Sequence, residues 1–177
     1  PSFLIPSAIS NSFWYSAVKD IPFVGLNGDF KNFATPLFPR ITHVLYEQRR
    51  LFGRKHMSIP IENFRMESGV IHLETEDIKA VAAPPPEDAL PYLKNLLGSI
   101  ITTLDGKELG TIIDFMITYR GTGWLVESIK VQGSAFFKDK LTSNEFSIPG
   151  ERVSLSETSD KWSMVAHMRV ASEFVNY

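Results

Sequence analysis

The histidines and serines are the residues of this chain whose types could carry chemistry. Four histidines occur, at His43, His56, His72 and His167, and none has a recognisable metal-ligand spacing. There is no cysteine, which excludes thiolate catalysis, disulfides and cysteine-bound zinc or iron–sulfur clusters. The serines are not part of the G-x-S-x-G sequence of a nucleophile elbow. We therefore expect no catalytic residue, no metal and no cofactor, and predict that the protein is not an enzyme.

The most concentrated positive charge is "RRLFGRKH", residues 49–56. This segment falls where a hairpin loop is expected between two strands, so its side chains would project from one end of a folded unit. One interpretation is a charged loop that keeps a sheet edge soluble. The other is contact with anionic lipid headgroups or an acidic protein surface. Each basic group near a charged membrane contributes about 1 kcal/mol, so peripheral attachment would need a second contact. The predicted contact residues here are Arg49, Arg50, Leu51, Phe52, Arg54 and Lys55.

The N-terminal segment "FLIPSAISNSFWYSAV", residues 3–18, could supply this second contact. Pro6 and the serine and asparagine content argue against one long helix. Its large apolar side chains either pack back on the protein or anchor it to a partner, because aromatic residues are favoured at interfaces and at membrane boundaries. The predicted contact residues of this segment are Phe3, Leu4, Ile5, Phe13, Trp14 and Tyr15.

The elements that must position these residues are short β-strands. The chain has 177 residues, 44% of them hydrophobic, and a formal charge of -2, which fits one large domain or two small ones. The stretch "AAPPPEDALP", residues 82–91, divides it into similar halves, because three consecutive prolines cannot lie inside a sheet or helix. A short helix is predicted after the prolines, between Asp88 and Gly98.

A strand-to-turn sequence occurs twice, as "MSIPIENF" at residues 57–64 and "FSIPGERV" at residues 146–153. An alternating strand precedes each copy, "RITHVLYEQ" in the first half and "WLVESIKVQ" in the second. We match the turn "LNGDF", residues 26–30, with "LDGKE", residues 104–108. This order predicts a mainly β protein in which each half closes a small barrel.

The second half resembles the PRC-barrel family. The residues that carry the resemblance are Gly98, the turn Asp105-Gly106, Gly110 and Asp114 of a "G-x-hydrophobic-x-D" strand, the turn 120–123 and Ile148-Pro149. The first half is similar in its later part, but "GLNGDFKNFATPLFP", residues 25–39, lacks a clear strand of that kind. The resemblance implies two small PRC-type β-barrels in tandem with a short connecting helix. The predicted division is an N-terminal aromatic anchor (1–19), a first, degenerate barrel (20–82), a proline-rich linker with a short helix (83–97) and a second barrel with a C-terminal extension (98–177).

The resemblance also implies a surface that contacts macromolecules rather than an active site. Relatives include the cytoplasmic domain of photosynthetic reaction-centre H subunits and the carboxy-terminal domain of ribosome-maturation factors. The first hypothesis is a non-catalytic scaffold or adaptor, cytoplasmic and peripheral on the inner (photosynthetic) membrane. Its partner would be a membrane protein complex such as a reaction centre, with contact to anionic lipid and no nucleic acid. No apolar run approaches the ~20 residues that span a bilayer, so docking would be peripheral or would rely on another chain's helix.

Two alternatives remain open. One is an RNA- or ribosome-associated assembly factor, against which the doubled repeat and the pI of about 6.1 weigh. The other is a free-standing regulator with a small ligand between its two barrels, although no residue identifies such a ligand.

Overall fold

The computed structural model describes residues 2–5, 8–18, 22–23, 26–27, 29–31, 39–74, 81–84, 91–121, 123–134, 144–158 and 161–167. Within these ranges the chain forms short and long strands, three 3₁₀ turns and the short helix α1 (Leu93–Leu96). The strands are β1 (Ser2–Leu4), β2 (Ser12–Trp14), β3 (Pro22–Phe23), β4 (Leu26–Asn27), β5 (Asp29–Lys31), β6 (His43–Arg50), β7 (Gly53–Pro60), β8 (Phe64–Glu67), β9 (Val70–Leu73), β10 (Ile100–Thr103), β11 (Glu108–Tyr119), β12 (Trp124–Gly133), β13 (Glu145–Pro149), β14 (Val153–Thr158) and β15 (Lys161–Ala166). The predicted mainly β fold with a short connecting helix is confirmed.

The described strands of the second half form one sheet in the order β13-β12-β11-β10-β15-β14, and β2 from the N-terminal segment also pairs with β11. The first half contains the sheets β5-β6-β7 and β1-β9-β8 and the small pair β3-β4. Within the described ranges these are open sheets, with no pairing that closes a ring of strands. The pairings are antiparallel except for β10 with β15, which is parallel.

The core follows from the alternation of β-branched and aromatic residues on β11 and β12. Ile112 lies opposite Val131 and Phe115 lies opposite Ile129, and all four side chains are fully buried. Residues of both halves belong to one hydrophobic cluster. Because burial of each such side chain contributes about 1.5–3 kcal/mol, this cluster is the main stabilising feature of the fold.

The Ser-Ile-Pro repeat is confirmed as a structural repeat. Pro60 has φ -55 and ψ 140, Pro149 has φ -57 and ψ 137, and each begins a 3₁₀ turn. The isoleucines before them, Ile59 and Ile148, are both fully buried. An isoleucine fixed in the core and a proline that cannot continue the ladder thus turn both strands at the same place.

The repeat extends upstream, in a different register from the one predicted. It is read from three paired residues in each half: Phe30, Val44 and Ile59 in the first, and Phe115, Ile129 and Ile148 in the second. In this register Asp29 of β5 stands where Asp114 stands in β11. The match of residues 26–30 with the turn at 104–108 is therefore wrong, because Asp29 and Phe30 correspond to Asp114 and Phe115 inside β11 and not to the end of that turn.

The two halves meet at an antiparallel bridge between Arg40 and Leu125. Two backbone hydrogen bonds flank it: Ile41 N–H donates to Trp124 O at 2.9 Å, and Val126 N–H donates to Pro39 O at 2.8 Å. Ile41 precedes Val44 by three residues, as Val126 precedes Ile129, so the two donors are equivalent. Each hydrogen bond is therefore the equivalent of the other with the two halves interchanged, so the contact has a local pseudo-two-fold axis.

The N-terminal segment completes both halves. β1 pairs with β9 through Phe3 and Ile71, in the place where β10 pairs with β15 through Ile101 and Met164. β1 and β10 occupy equivalent places but run in opposite directions relative to their partners, because β1 is antiparallel to β9 and β10 is parallel to β15. The predicted domain boundaries stay a prediction.

Candidate functional site

The predicted contact residues of the N-terminal segment fall into two groups. Ile5, Phe13 and Tyr15 are 2%, 1% and 0% exposed. Leu4 is exposed and Trp14 is half-buried, and the side chain of Phe3 lies outside the described residues. Burial puts Ile5, Phe13 and Tyr15 out of reach of an outside surface in this conformation, while partner contact by the rest of the group stays a prediction.

Aromatic packing explains where the buried residues of this segment go. The ring of Phe13 meets that of Trp124 edge-on with centroids 6.0 Å apart, and Tyr15 meets Phe115 in the same way at 6.1 Å. Trp124 also donates its indole N–H to Phe64 O at 3.1 Å. Since edge-to-face pairs contribute about 0.5–1.5 kcal/mol beyond area burial, these rings hold the N-terminal segment on β11 and β12.

A carboxylate fastens the end of the same segment. Asp114 Oδ1 accepts a hydrogen bond from Ser16 N–H at 3.0 Å, and Oδ2 accepts one from Ser16 Oγ–H at 2.5 Å. Phe115 N–H also donates to Asp114 Oδ1, at 2.8 Å. The pairing register shifts between Ile112 and Asp114, which marks a β-bulge that re-aims this side chain. The aspartate of the "G-x-hydrophobic-x-D" strand is thus a structural clasp here, a role that sequence reasoning missed.

Trp14 links the segment to the outer surface of β12. Lys130 Nζ lies 5.1 Å from the centre of the Trp14 ring and 3.3 Å from Glu145 Oε2. Both charged side chains are partly exposed, so solvent screening leaves each contact with a small stabilising effect.

The second group of predicted contact residues lies at the end of the β6–β7 hairpin. The strands are paired from His43–Pro60 to Arg50–Gly53, which leaves Leu51 and Phe52 in a two-residue turn. Gly53 follows at φ +96, a backbone conformation that glycine adopts without strain. We call residues 49–55 the basic tip.

The basic tip presents apolar side chains fully to solvent. Leu51 and Phe52 are each 92% exposed, the largest exposures among the large apolar residues that the structure describes. In the pairing register Arg49 lies opposite Arg54, and Lys55 follows on β7. Four basic residues, Arg49, Arg50, Arg54 and Lys55, therefore flank two adjacent apolar side chains.

Other charged groups in the described residues serve local structure. Arg65 pairs with Glu67 (Nη1 to Oε2, 3.0 Å) and with Glu74, and the hydrogen bond that Arg65 donates to Glu67 is the main reason that the pKa of Arg65 is raised. Burial raises the pKa of Tyr46. Across the described ranges no three His, Asp or Glu side chains converge as a metal site.

Comparisons with known proteins find no match at the level of sequence and a weak likeness at the level of structure. No family model matches the chain, and no curated protein matches it. Among solved structures it is similar to RimM from Pseudomonas aeruginosa, a protein provisionally assigned to 16S ribosomal RNA processing. The identity is 14%, the match covers 84% of this chain and 98% of that chain, and the TM-score is 0.32.

Two predictions about the partner are corrected by this comparison. The link to photosynthesis and to a reaction-centre H subunit is wrong, because the structure found belongs to a ribosomal RNA processing protein. The predicted partners, a membrane protein complex with anionic lipid and no nucleic acid, are wrong for the same reason. No helix in the described part of the chain is long and apolar enough to cross a bilayer.

Proposed function

We propose that the protein is a non-catalytic RNA-binding factor that associates with structured RNA of a ribonucleoprotein, such as a ribosome under assembly. The observation that carries this proposal is the basic tip, where Leu51 and Phe52 stand 92% exposed among four basic residues. The likeness to RimM names RNA processing too, but at a TM-score of 0.32 it is too loose to carry the proposal.

The charges of the basic tip suit a phosphate backbone. Residues 47–56 contain four basic groups and one carboxylate, in a chain whose net charge is -2. Each phosphate neutralised by a lysine or arginine releases counterions, so such a local cluster binds RNA even on an acidic protein. Arginine adds planar donors that match phosphate oxygens.

The exposed apolar residues suit unpaired bases. An aromatic ring at a projecting turn can stack on a splayed-out base, which contributes about 1–3 kcal/mol per base. Phe52 is 92% exposed and lies outside the core cluster, so its ring does not stabilise the fold by burial. Exposed apolar residues next to phosphate-binding charge therefore favour RNA over a purely acidic protein surface.

The arrangement of charges at the tip also favours a ligand. Arg49 and Arg54 occupy directly opposed positions on β6 and β7. Opposed positions on an antiparallel pair lie on the same face of the sheet, so this register favours two arginines sharing one phosphate group.

The base of the hairpin keeps the tip in place. Val44 and Ile59 face each other across β6 and β7 and are both fully buried. A tip on a rigid hairpin loses less conformational entropy on binding than a free loop would. The cytoplasmic location and the PRC-type fold of each half, both expected from the sequence, remain part of this proposal.

A charge-matched pair of variants tests the proposal. Binding of the full-length protein to fluorescently labelled 16S ribosomal RNA is measured by anisotropy across a salt series. The variant Arg49→Ser/Arg54→Ser should bind about tenfold more weakly in 0.1 M salt, and the slope of log K against log salt should fall by about 1.5. The control Lys94→Ser/Lys107→Ser removes two exposed charges elsewhere and should leave both quantities unchanged.

A third variant separates stacking from charge. Phe52→Ala should weaken binding about fivefold at every salt concentration, since a stacked ring releases no counterions. If the tip and control variants lose equal affinity for RNA, the attraction is unspecific. If Arg49→Ser/Arg54→Ser binds RNA as well as the wild type, the basic tip is not the binding site.

A further inference from the structure

The outer edge of β7 is occupied by a segment of the chain itself. Ser58 N–H donates to Ala83 O at 2.7 Å, and Ala83 N–H donates to Ser58 O at 2.9 Å. The Ser58 hydroxyl adds a third hydrogen bond to Ala83 O at 3.2 Å, and Ser58 is 1% exposed. The stretch between the halves, predicted as a spacer from residue 83, thus begins as a one-residue addition to the edge of the first half.

The equivalent position on β13 is Ser147. Ser147 lies opposite Lys130 on β12, as Ser58 lies opposite Leu45 on β6, and each is followed by the buried isoleucine and the proline. Asn144 O accepts a hydrogen bond from Gly133 N–H at 2.6 Å, so Asn144 directs its backbone groups toward β12. Because backbone direction alternates along an antiparallel strand, the N–H and C=O of Ser147 point away from β12.

Nothing that the structure describes occupies this second edge. β13 is the last strand of its sheet, and no bridge to Ser147 occurs among the described residues. Ser147 is exposed, whereas Ser58 is buried. A sheet edge with outward N–H and C=O groups is a template for another strand.

We propose that the edge of β13 at Ser147 binds an extended, proline-containing segment of a partner protein, in the way that β7 holds Ala83. The first half shows the chemistry of the occupant. It presents one small residue whose N–H and C=O both pair with the serine, and a proline follows at once. The proline keeps the small residue extended and, lacking an N–H, ends the pairing.

This surface is separate from the basic tip and does not depend on RNA binding. The basic tip is at the turn between β6 and β7, whereas Ser147 lies on the outer edge of β13. The two proposals can therefore fail independently.

The test uses the full-length protein labelled with ¹⁵N and a synthetic peptide, Ala-Val-Ala-Ala-Pro-Pro-Pro-Glu, which is the chain's own sequence at residues 80–87. We expect the amide signal of Ser147 to shift on titration and its hydrogen exchange to slow, while the signal of Ser58 stays in place. The control peptide has proline at the fourth position, which removes the N–H that Ala83 donates, and should bind about tenfold more weakly.

Two variants complete the test. Ser147→Pro removes the outward N–H and should weaken peptide binding about tenfold, yet the sheet should persist because edge strands accept proline where the N–H faces solvent. Ser147→Ala keeps the backbone groups and should weaken binding only about threefold, through loss of the hydroxyl. The proposal is overturned if Ser147 N–H is already protected in the free protein, if only Ser58 responds, or if Ser147→Pro binds as well as the wild type.

Discussion

Two apolar clusters in this protein have similar composition and opposite positions. The N-terminal segment places Phe13 and Tyr15 in the core, while the basic tip holds Leu51 and Phe52 in solvent. The difference lies in what each backbone does. β2 pairs with β11 and is fastened by Asp114 through Ser16, whereas Leu51 and Phe52 occupy a two-residue turn between paired strands. Pairing with β11 lets Phe13 reach the core, whereas the tight turn leaves Leu51 and Phe52 exposed to solvent.

The largest expected effect that would sharpen this contrast is on stability. Phe13→Ala should lower the free energy of unfolding by about 3–5 kcal/mol, because it opens a cavity beside Trp124. Phe52→Ala is the matched control and should change it by less than about 0.5 kcal/mol. Denaturant unfolding followed by tryptophan fluorescence measures both, and similar values for the two variants would break the comparison.

A smaller effect is expected at the clasp. Asp114→Ala leaves the Ser16 N–H and Oγ–H and the Phe115 N–H without their acceptor, and should destabilise the protein by about 2 kcal/mol. Relative to the wild type, hydrogen exchange should accelerate more at the amides of the N-terminal segment than at those of β6 and β7. Loss of a clasp predicts this difference, whereas a uniform loss of stability does not. Asp105→Ala is the control, because Asp105 lies in an exposed turn and contacts its own neighbour Thr103.

The smallest effect concerns the outer side of the N-terminal segment. Lys130→Met should cost about 0.5 kcal/mol of stability, because the cation above Trp14 and the ion pair with Glu145 are both partly exposed. A double-mutant cycle with Trp14→Leu isolates the cation–π contact from the rest. A coupling energy near zero would mean that Trp14 is held by apolar packing alone.

The sequence predicted the repeated parts of the fold because their signals are local. Ser-Ile-Pro ends a strand wherever a buried isoleucine meets a residue without an amide hydrogen, and both copies do so. The basic tip was predicted on similar grounds, as charged residues between two alternating segments. The structure places Leu51 and Phe52 in the turn that this pattern requires.

The parts that the sequence misassigned or left open depend on partners distant in the chain. The segment "LNGDF", residues 26–30, resembles a turn, yet Asp29 and Phe30 pair with β6. For the N-terminal aromatics the sequence left two outcomes open, packing on the protein or anchoring a partner, and Phe13 and Tyr15 take the first by packing on β11 and β12, about a hundred residues away. A local pattern cannot distinguish these outcomes, because the free energy that decides them comes from contacts that exist only after the halves have met.

By itself, the sequence determined that this protein is mainly β, that it repeats one strand-to-turn unit, and that positive charge is concentrated at one hairpin. The alternation of apolar residues, the position of proline and the clustering of charge act over a few residues, so they can be recognised in the sequence without coordinates. Tertiary structure alone decided that the halves join at the Arg40–Leu125 bridge and that Ala83 fills the edge of β7. Those choices rest on pairing between backbone groups, which are the same in every residue except proline, and so leave little trace in the order of side chains.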